Sequence, residues 1–134
     1  MISAPSSQIF LRKAESTLAE ARLLLGAGHS DGACSRAYYA MFDAAHAALF
    51  TFSVEEISAP IKTHNGLIAK FGQHVVATGH LTAEYGSDLN KIQSLRALAD
   101  YSGDPVAIEK AEWAVKRAAA FLAAIKDMIA RQAP

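Results

Sequence analysis

Residues 30–52 of this chain read SDGACSRAYYAMFDAAHAALFTF, and this stretch decides the fold. Small and apolar side chains recur along it at helical spacing, at Ala33, Ala37, Ala40, Met41, Ala44, Ala45, Ala48 and Leu49. A stripe of small residues lets neighbouring helices approach one another closely. The stretch is therefore predicted to form the central helix of a helical bundle, from about Ser30 to about Phe52.

Four further segments with helical periodicity accompany the central one. Their predicted bounds are approximately residues 6–26, 63–78, 81–101 and 105–131. Ser6 or Ser7 is expected to cap the first helix and Thr63 the third, because their hydroxyls can accept from free backbone N–H groups. Residues 53–61 contain Pro60 and little periodicity, so they are predicted to form a loop.

The plainest boundary in the sequence is the run Ser102-Gly103-Asp104-Pro105. Glycine is common just after a helix, and Asp followed by Pro is typical of a helix start. We therefore expect Gly103 to end the fourth helix, Asp104 to cap the fifth and Pro105 to lie in its first turn. No segment alternates polar and apolar residues as a strand does. The predicted fold is all-α, a four- to five-helix bundle in a single domain, residues 1–134.

Composition narrows the classes of function. The chain has 134 residues, 51% of them hydrophobic and 19% charged, which is typical of a globular domain. Its 13 basic and 13 acidic residues cancel, whereas a protein that binds nucleic acid by bulk charge carries a basic surplus. Neither a signal peptide nor an apolar run of about 18–20 residues is evident. With one cysteine, Cys34, the chain is expected in the cytoplasm, away from membranes.

Several kinds of catalytic and metal site have no support in the sequence. Cys34 lacks the surrounding signature of an activated nucleophile. The five histidines are never three or four residues apart, and a bundle metal site needs such pairs. Asp43 and His46 form one acid-x-x-His pair, where a di-iron bundle needs two and further carboxylates. Gly26-Ala27-Gly28 is not a phosphate-binding loop. We predict no metal and no cofactor.

Three polar residues share one face of the central helix. Arg36 and Tyr39 are three positions apart, and Asp43 follows one turn after Tyr39. Tyr38 lies about 100° away, aligned with Phe42, and is predicted to belong to the core. Two interpretations of the face stay open. Arg36 and Tyr39 either make structural contacts within the bundle, or bind the phosphate and the sugar or base of a ligand.

Two later segments carry further candidate residues. His64 lies in the first turn of the predicted third helix, where the helix dipole attracts anions and lowers the pKa of histidine. It could contact a ligand or serve as a cap. Arg96 and Asp100 are four positions apart, so they can form an ion pair along the fourth helix, and Tyr101 follows at its end.

The order and spacing of these segments resemble the small HEPN-domain proteins (higher eukaryotes and prokaryotes nucleotide-binding), especially their stand-alone prokaryotic branch. The resemblance covers roughly residues 8–128 and is carried by Arg36-Ala37-Tyr38-Tyr39-Ala40-Met41-Phe42, Thr63-His64-Asn65-Gly66, Phe71-Gly72 and Arg96-Ala97-Leu98-Ala99-Asp100-Tyr101. It implies an up-and-down bundle that forms homodimers. Members are often encoded beside a minimal nucleotidyltransferase as a two-component or toxin–antitoxin pair, and some are metal-independent endoribonucleases.

One departure bears on catalysis. Ribonuclease members resemble one another in an Arg, a polar residue and, four to six residues on, a His, but here Ala97 follows Arg96 and no histidine occurs after His80. Metal-free RNA cleavage needs a base for the 2′-hydroxyl and a cation for the developing charge. Arg96 can supply the cation, and Asp100 would be a weak base.

The resemblance and the residues together give a leading hypothesis and two alternatives. The leading one is a dimeric nucleotide- or RNA-binding partner of a minimal nucleotidyltransferase. The residues that would bind or orient the ligand are Arg36, Tyr39, Asp43, His64, Arg96, Asp100 and Tyr101. The first alternative is a divergent endoribonuclease with Arg96 and Asp100 as catalytic residues. The second is a purely structural assembly partner, in which these polar residues stabilise the bundle or dimer.

Overall fold

The computed structural model describes residues 5–52 and 61–132. It contains five α-helices, α1 (Pro5–Gly26), α2 (Ser30–Phe52), α3 (His64–Phe71), α4 (Ala83–Ser102) and α5 (Ile108–Arg131). A short π-helix, Gly72–Val76, continues α3. Because residues 5–52 and 61–132 contain helices and no strand, the all-α prediction is confirmed. The loop predicted at residues 53–61 lies outside the described residues except for Ile61.

Helix α2 is the centre of the bundle and packs against α1, α3, α4 and α5. Its predicted stripe is completely buried, at Ala33, Ala37, Ala40, Met41, Ala44, Ala45, Ala48 and Leu49. Helix α1 meets α2 over the longest stretch and contributes its own buried alanines, Ala14 and Ala21. The small side chains allow this close approach, which fixes the face of α2 that remains for the candidate site.

Helix α1 begins earlier than expected, at Pro5, so neither Ser6 nor Ser7 is its N-cap. Ser7 is instead buried inside the helix, where its hydroxyl donates to the Ala47 carbonyl at 3.0 Å and lies 2.8 Å from the Thr51 hydroxyl. The capping prediction is wrong because a partner on α2, 40 residues away, satisfies the hydroxyl. This polar contact fastens the start of α1 to the second half of α2.

A buried histidine fixes the start of α3 against α2. His46 is 1% exposed, its Nδ1 lies 3.1 Å from the Phe42 carbonyl oxygen, and its Nε2 accepts from the Ile61 backbone N–H at 2.9 Å. Both contacts require a neutral ring with its proton on Nδ1, and burial lowers the pKa of His46. Ile61 comes three residues before His64, so His46 helps to place the candidate ligand residue.

The predicted third helix is interrupted. Its N-cap is confirmed, since the Thr63 hydroxyl accepts from the Gly66 backbone N–H at 3.1 Å. After Phe71 the chain changes to the π-helix, and the turn that follows contains Gly79 with a φ of 83°. Gly86 lies inside α4, where an added Cβ would stand 3.4 Å from a methyl of Val76. That distance is an ordinary van der Waals contact, so the packing of α4 on the π-helix leaves room for a small side chain at position 86.

At the boundary between α4 and α5, the end of α4 was predicted correctly and the start of α5 was not. Gly103 ends α4 with a φ of 78°, a left-handed conformation that favours glycine. Helix α5 begins at Ile108, so the predictions that Asp104 caps it and that Pro105 lies in its first turn are wrong. The carboxylate of Asp31, at the start of α2, accepts from the Val106 backbone N–H at 2.6 Å and holds this segment outside the helix.

Candidate functional site

A stack of one cation and two phenol rings lies where α2 meets α4. The Arg96 guanidinium is 5.2 Å from the centre of the Tyr38 ring and 5.6 Å from that of Tyr39. The two rings touch edge to face, with 5.2 Å between their centres. Consecutive tyrosines point about 100° apart on a helix, so both can contact one guanidinium that approaches between them. Tyr38 is completely buried, which confirms its predicted place in the core.

Arg96 is largely enclosed by its neighbours. Only 12% of its side chain is exposed, and it donates to the Asp100 carboxylate at 2.6 Å and to the Gln93 amide oxygen at 3.0 Å. Its Nε is buried and has no hydrogen-bond partner among residues 5–52 and 61–132. The predicted ion pair with Asp100 is present. A ligand phosphate would have to compete with Asp100 for this guanidinium, and the contacts fit a residue that positions Tyr38 and Tyr39.

His64 joins this stack from the first turn of α3. Its Nδ1 lies 2.7 Å from the Tyr38 hydroxyl, and its ring also contacts Tyr39 and Phe42. Burial and the positive charge of Arg96 lower the pKa of His64, so the ring is neutral at pH 7. Sequence reasoning gave Tyr38 to the core and overlooked this contact. The available signal was that a buried phenol nearly always finds a hydrogen-bond partner.

A surface pocket opens on the other side of Tyr39, between α1 and α2. It has a volume of about 320 Å³ and is lined by Lys13 and Thr17 of α1 and by Arg36, Tyr39, Phe42 and Asp43 of α2. The three residues predicted to share a face of α2 therefore line one pocket. Lys13 and Thr17 were not predicted, because nothing in the sequence of α1 shows which of its residues meets that face. Phe42 was not predicted because it aligns along α2 with Tyr38, which was assigned to the core.

The pocket combines charge with aromatic surface. The Arg36 guanidinium lies 5.7 Å from the centre of the Tyr39 ring and 3.5 Å from the Glu20 carboxylate. About half of the Arg36 side chain is exposed, so its ion pair with Glu20 is weak and exchangeable. Arg36 thus keeps a guanidinium at the rim of the pocket that a phosphate can reach.

Asp43 is the buried acid of the pocket. The residue is 6% exposed, and no hydrogen bond to its carboxyl group is found within residues 5–52 and 61–132. Burial raises the pKa of Asp43 to about 6, and the nearby charges of Lys13 and Arg36 offset only part of that rise. A buried carboxyl group with a raised pKa in a pocket is typical of a functional site.

The raised pKa predicts that Asp43→Asn stabilises the unliganded protein. Well above pH 6 the carboxylate is ionised in both the native and the unfolded state. Its burial then lowers the free energy of unfolding by about 3 kcal/mol, the free-energy equivalent of raising the pKa from 3.8 to about 6. Between pH 6 and pH 4 the native state takes up the proton first and the cost disappears. Urea unfolding should show the variant more stable at pH 7.5, by up to about that amount, and the gain shrinking towards pH 4. A variant less stable than wild type at pH 7.5 would contradict this.

Tyr101 is placed apart from the other predicted site residues. It is 91% exposed at the end of α4, and no ring contact or hydrogen bond of Tyr101 is found in the part of the chain that the structure describes. Asp100, next to it, is half-exposed and touches the stack only through Arg96. The fold therefore places Arg36, Tyr39 and Asp43 in the pocket between α1 and α2, and brings His64 and Arg96 against Tyr38 and Tyr39.

Residues 5–52 and 61–132 contain neither a cluster of metal ligands nor a helix that could span a membrane. Their His, Cys, Asp and Glu side chains contain no group of three or more that could hold a metal ion. None of the helices there has the length and apolar character needed to cross a membrane. Cys34 is buried, and burial raises the pKa of its thiol to about 11.

The fold and the site define the class of this protein. It is an α-helical bundle with a Tyr-Tyr pair on its central helix, an arginine stacked on that pair and a pocket with two cations beside it. The chain matches the HEPN domain family over residues 7–128, and it belongs to that family.

Curated relatives agree with this family. A protein of Gloeobacter violaceus named a UPF0332 protein is 38% identical over 99 residues, 74% of this chain and 75% of the relative. A protein of Methanocaldococcus jannaschii named "Putative toxin MJ0605" is 34% identical over 122 residues, 91% of this chain and 87% of the relative. A UPF0332 protein of Thermotoga maritima is 31% identical over 121 residues, 88% of this chain and 86% of the relative.

Proposed function

We propose that this protein binds a nucleotide or the end of a short RNA in the pocket between α1 and α2. The observation that carries the proposal is the pocket lining, in which two cations, two aromatic rings and a buried carboxyl group face one volume of about 320 Å³. That volume lies at the lower end of the range for small-molecule sites, so it suits a single nucleotide better than a long segment.

The cations would bind phosphate. Lys13 and Arg36 come from different helices and both line the pocket, so one phosphate group can contact both. The chain has no net charge, which limits the contribution of distant charges to binding. The electrostatic attraction would therefore be local. The affinity should fall with added salt, with a slope that corresponds to about one or two phosphate contacts.

The aromatic rings would hold the base. Tyr39 and Phe42 line the same pocket, and a base stacked on an aromatic side chain contributes about 1–3 kcal/mol to binding. Arg36 and Arg96 contact the Tyr39 ring and His64 contacts the Phe42 ring, so both rings are held in place before a ligand arrives. A rigid ring loses little entropy on binding.

Titration of the protein with labelled nucleoside monophosphates and a short RNA tests the proposal. We expect saturable binding that Tyr39→Ala weakens by about 5- to 150-fold, the equivalent of one lost stack. Lys116→Ala, an exposed residue of α5 outside the pocket, is the matched control and should bind as wild type does. Absence of binding, or an equal loss in both variants, would rule out this pocket.

We also propose that the protein acts as a homodimer and as the partner of a minimal nucleotidyltransferase in a toxin–antitoxin-like pair. Support comes from the family, from two Methanocaldococcus jannaschii relatives whose names read "Putative toxin", and from exposed apolar side chains near the junction of α4 and α5. Leu98 is 64% exposed, Tyr101 91% and Trp113 38%. Light scattering of the purified protein should give twice the mass of one chain, and Leu98→Asp should reduce it; a monomer would overturn the dimer.

A second candidate, a metal-independent endoribonuclease, is favoured by the position of His64. The α4 motif lacks its histidine, but the fold brings His64 of α3 against Tyr38, the ring on which Arg96 stacks. Its neutral ring can accept a proton from a 2′-hydroxyl through Nε2 when Nδ1 donates to the Tyr38 hydroxyl. Arg96 would stabilise the developing negative charge.

The endoribonuclease candidate can be tested separately from nucleotide binding in the pocket. Short RNA should be cleaved in the presence of EDTA, and His64→Ala should lower the rate by about 100-fold or more, the usual contribution of a general base. Asp100→Asn should have a smaller effect, because Asp100 touches the site only through its ion pair with Arg96. Intact RNA under these conditions would remove the candidate while leaving nucleotide binding in the pocket untouched.

A further inference from the structure

The carboxyl group of Asp43 is buried and yet opens into the pocket. It lies beside Tyr39 and Phe42 in the lining, and no hydrogen bond satisfies it within residues 5–52 and 61–132. The carboxyl oxygens are not among the atoms closed off from solvent, so they can be reached from the pocket by water or by a ligand. Lys13 and Arg36 are the charged groups that face Asp43, one from α1 and one from α2.

The four RNA bases present different hydrogen-bonding edges to a carboxylate. Guanine has two adjacent donors, N1–H and the 2-amino group, which match the two oxygens of a carboxylate. Adenine and cytosine offer one amino group beside an acceptor nitrogen, and uracil offers one N–H between two carbonyl groups. Acceptors opposite a carboxylate repel it, so guanine alone pairs with both oxygens.

A second residue of the lining suits the remaining atom of the guanine edge. Thr17 is 7% exposed, lies in the pocket wall with Asp43, and carries a hydroxyl that can donate to O6. Tyr39 and Phe42 provide the surface on which the purine would stack. The lining therefore contains an acceptor group, a donor group and aromatic rings in the combination that a guanine base requires.

We infer that the pocket between α1 and α2 selects guanine, with Asp43 reading N1–H and the 2-amino group. This inference rests on the nucleotide binding proposed above and adds its base specificity. Asp43 would then be the residue that determines specificity, while Lys13 and Arg36 hold the phosphate whatever the base.

The first test compares the affinities of wild-type protein for four nucleoside monophosphates at pH 7.5. GMP should bind about tenfold or more tighter than AMP and UMP, the discrimination of one good bidentate pair. IMP, which keeps N1–H and lacks the 2-amino group, should lie between GMP and AMP. Equal affinities for GMP, AMP and UMP would overturn the guanine inference and leave nucleotide binding standing. No binding of any nucleotide would overturn both.

The second test uses Asp43→Asn, which keeps the size of the side chain and removes the carboxylate. The variant should lose the tenfold preference for GMP and should bind AMP at least as tightly as wild type does, because it removes the carboxylate that repels the acceptor nitrogen of adenine. A preference for GMP that survives in Asp43→Asn would assign base reading to another residue and overturn the inference. Thr17→Val tests the donor to O6. Loss of this donor should lower the affinity for GMP and leave the affinity for AMP unchanged.

A pH series on the wild-type protein needs no variant. The ratio of GMP to AMP affinity should fall as the pH drops from 7.5 to 5, because protonation of Asp43 replaces one acceptor oxygen by a donor. The second ionisation of the phosphate, with a pKa of about 6, affects both nucleotides equally and cancels in the ratio. A ratio that stays constant over this range would contradict a carboxylate that reads the base.

Discussion

Tyr38→Ala is expected to lower the free energy of unfolding by about 3–5 kcal/mol, the loss typical of removing a large aromatic side chain from a core. Tyr38 is completely buried on the central helix, and its ring carries the Arg96 guanidinium on one side and meets Tyr39 and Phe42. Its removal leaves Arg96 buried with a cavity beside it and His64 without the hydroxyl that its Nδ1 contacts.

Urea unfolding followed by circular dichroism measures this loss, and two variants separate its parts. Tyr38→Phe keeps the ring and should cost about 1 kcal/mol for the hydrogen bond to His64. Leu23→Ala removes an apolar side chain from an exposed position on α1, where 76% of the residue is exposed, and should change stability by less than about 0.5 kcal/mol. Equal losses at Tyr38 and Leu23 would mean that the aromatic stack does not contribute to the fold.

Replacement of both pocket cations, in the double variant Lys13→Ala and Arg36→Ala, is expected to weaken nucleotide binding by about 100-fold or more. Hydrogen bonds to charged groups each contribute about 1.5–3 kcal/mol, and this variant removes two of them. Stability should change little, because both side chains are exposed and the Arg36 ion pair with Glu20 is weak.

Isothermal titration at two salt concentrations measures the effect and its origin. Wild-type affinity should fall as salt is raised, and the double variant should lose most of that dependence. Lys110→Ala combined with Lys116→Ala, two exposed residues of α5, removes the same charge elsewhere and is the matched control. An equal loss in the control would show that net charge, and not the pocket, attracts the ligand.

Much of the fold could be predicted because it depends on local patterns. The small residues of α2 repeat at helical spacing, and this repeat identified the central helix with both ends correct. Gly103 was recognisable because a left-handed residue after a helix favours glycine. The start of α5 could not be predicted, since the partner of the Val106 N–H is Asp31, 75 positions earlier in the chain.

The candidate site likewise contains residues that helix spacing predicts and residues that depend on packing between helices. Arg36, Tyr39 and Asp43 follow from spacing on one helix, and the structure places them in one pocket. Lys13 and Thr17 could not be found, because periodicity marks the buried face of α1 but not its rotation against α2. The approach of His64 to Tyr38 could not be predicted either, since it depends on the hydrogen bond from the Ile61 backbone N–H to His46, 15 positions earlier in the chain.

Chemical-shift mapping tests the central claim, a nucleotide site between α1 and α2, most directly. GMP added to isotopically labelled protein should move the backbone amide signals of Lys13, Thr17 and residues 36–43 most strongly. Signals of Tyr101 and of the α5 residues beyond it should stay in place. Shifts confined to the end of α4, or no shift at saturating GMP, would contradict the account.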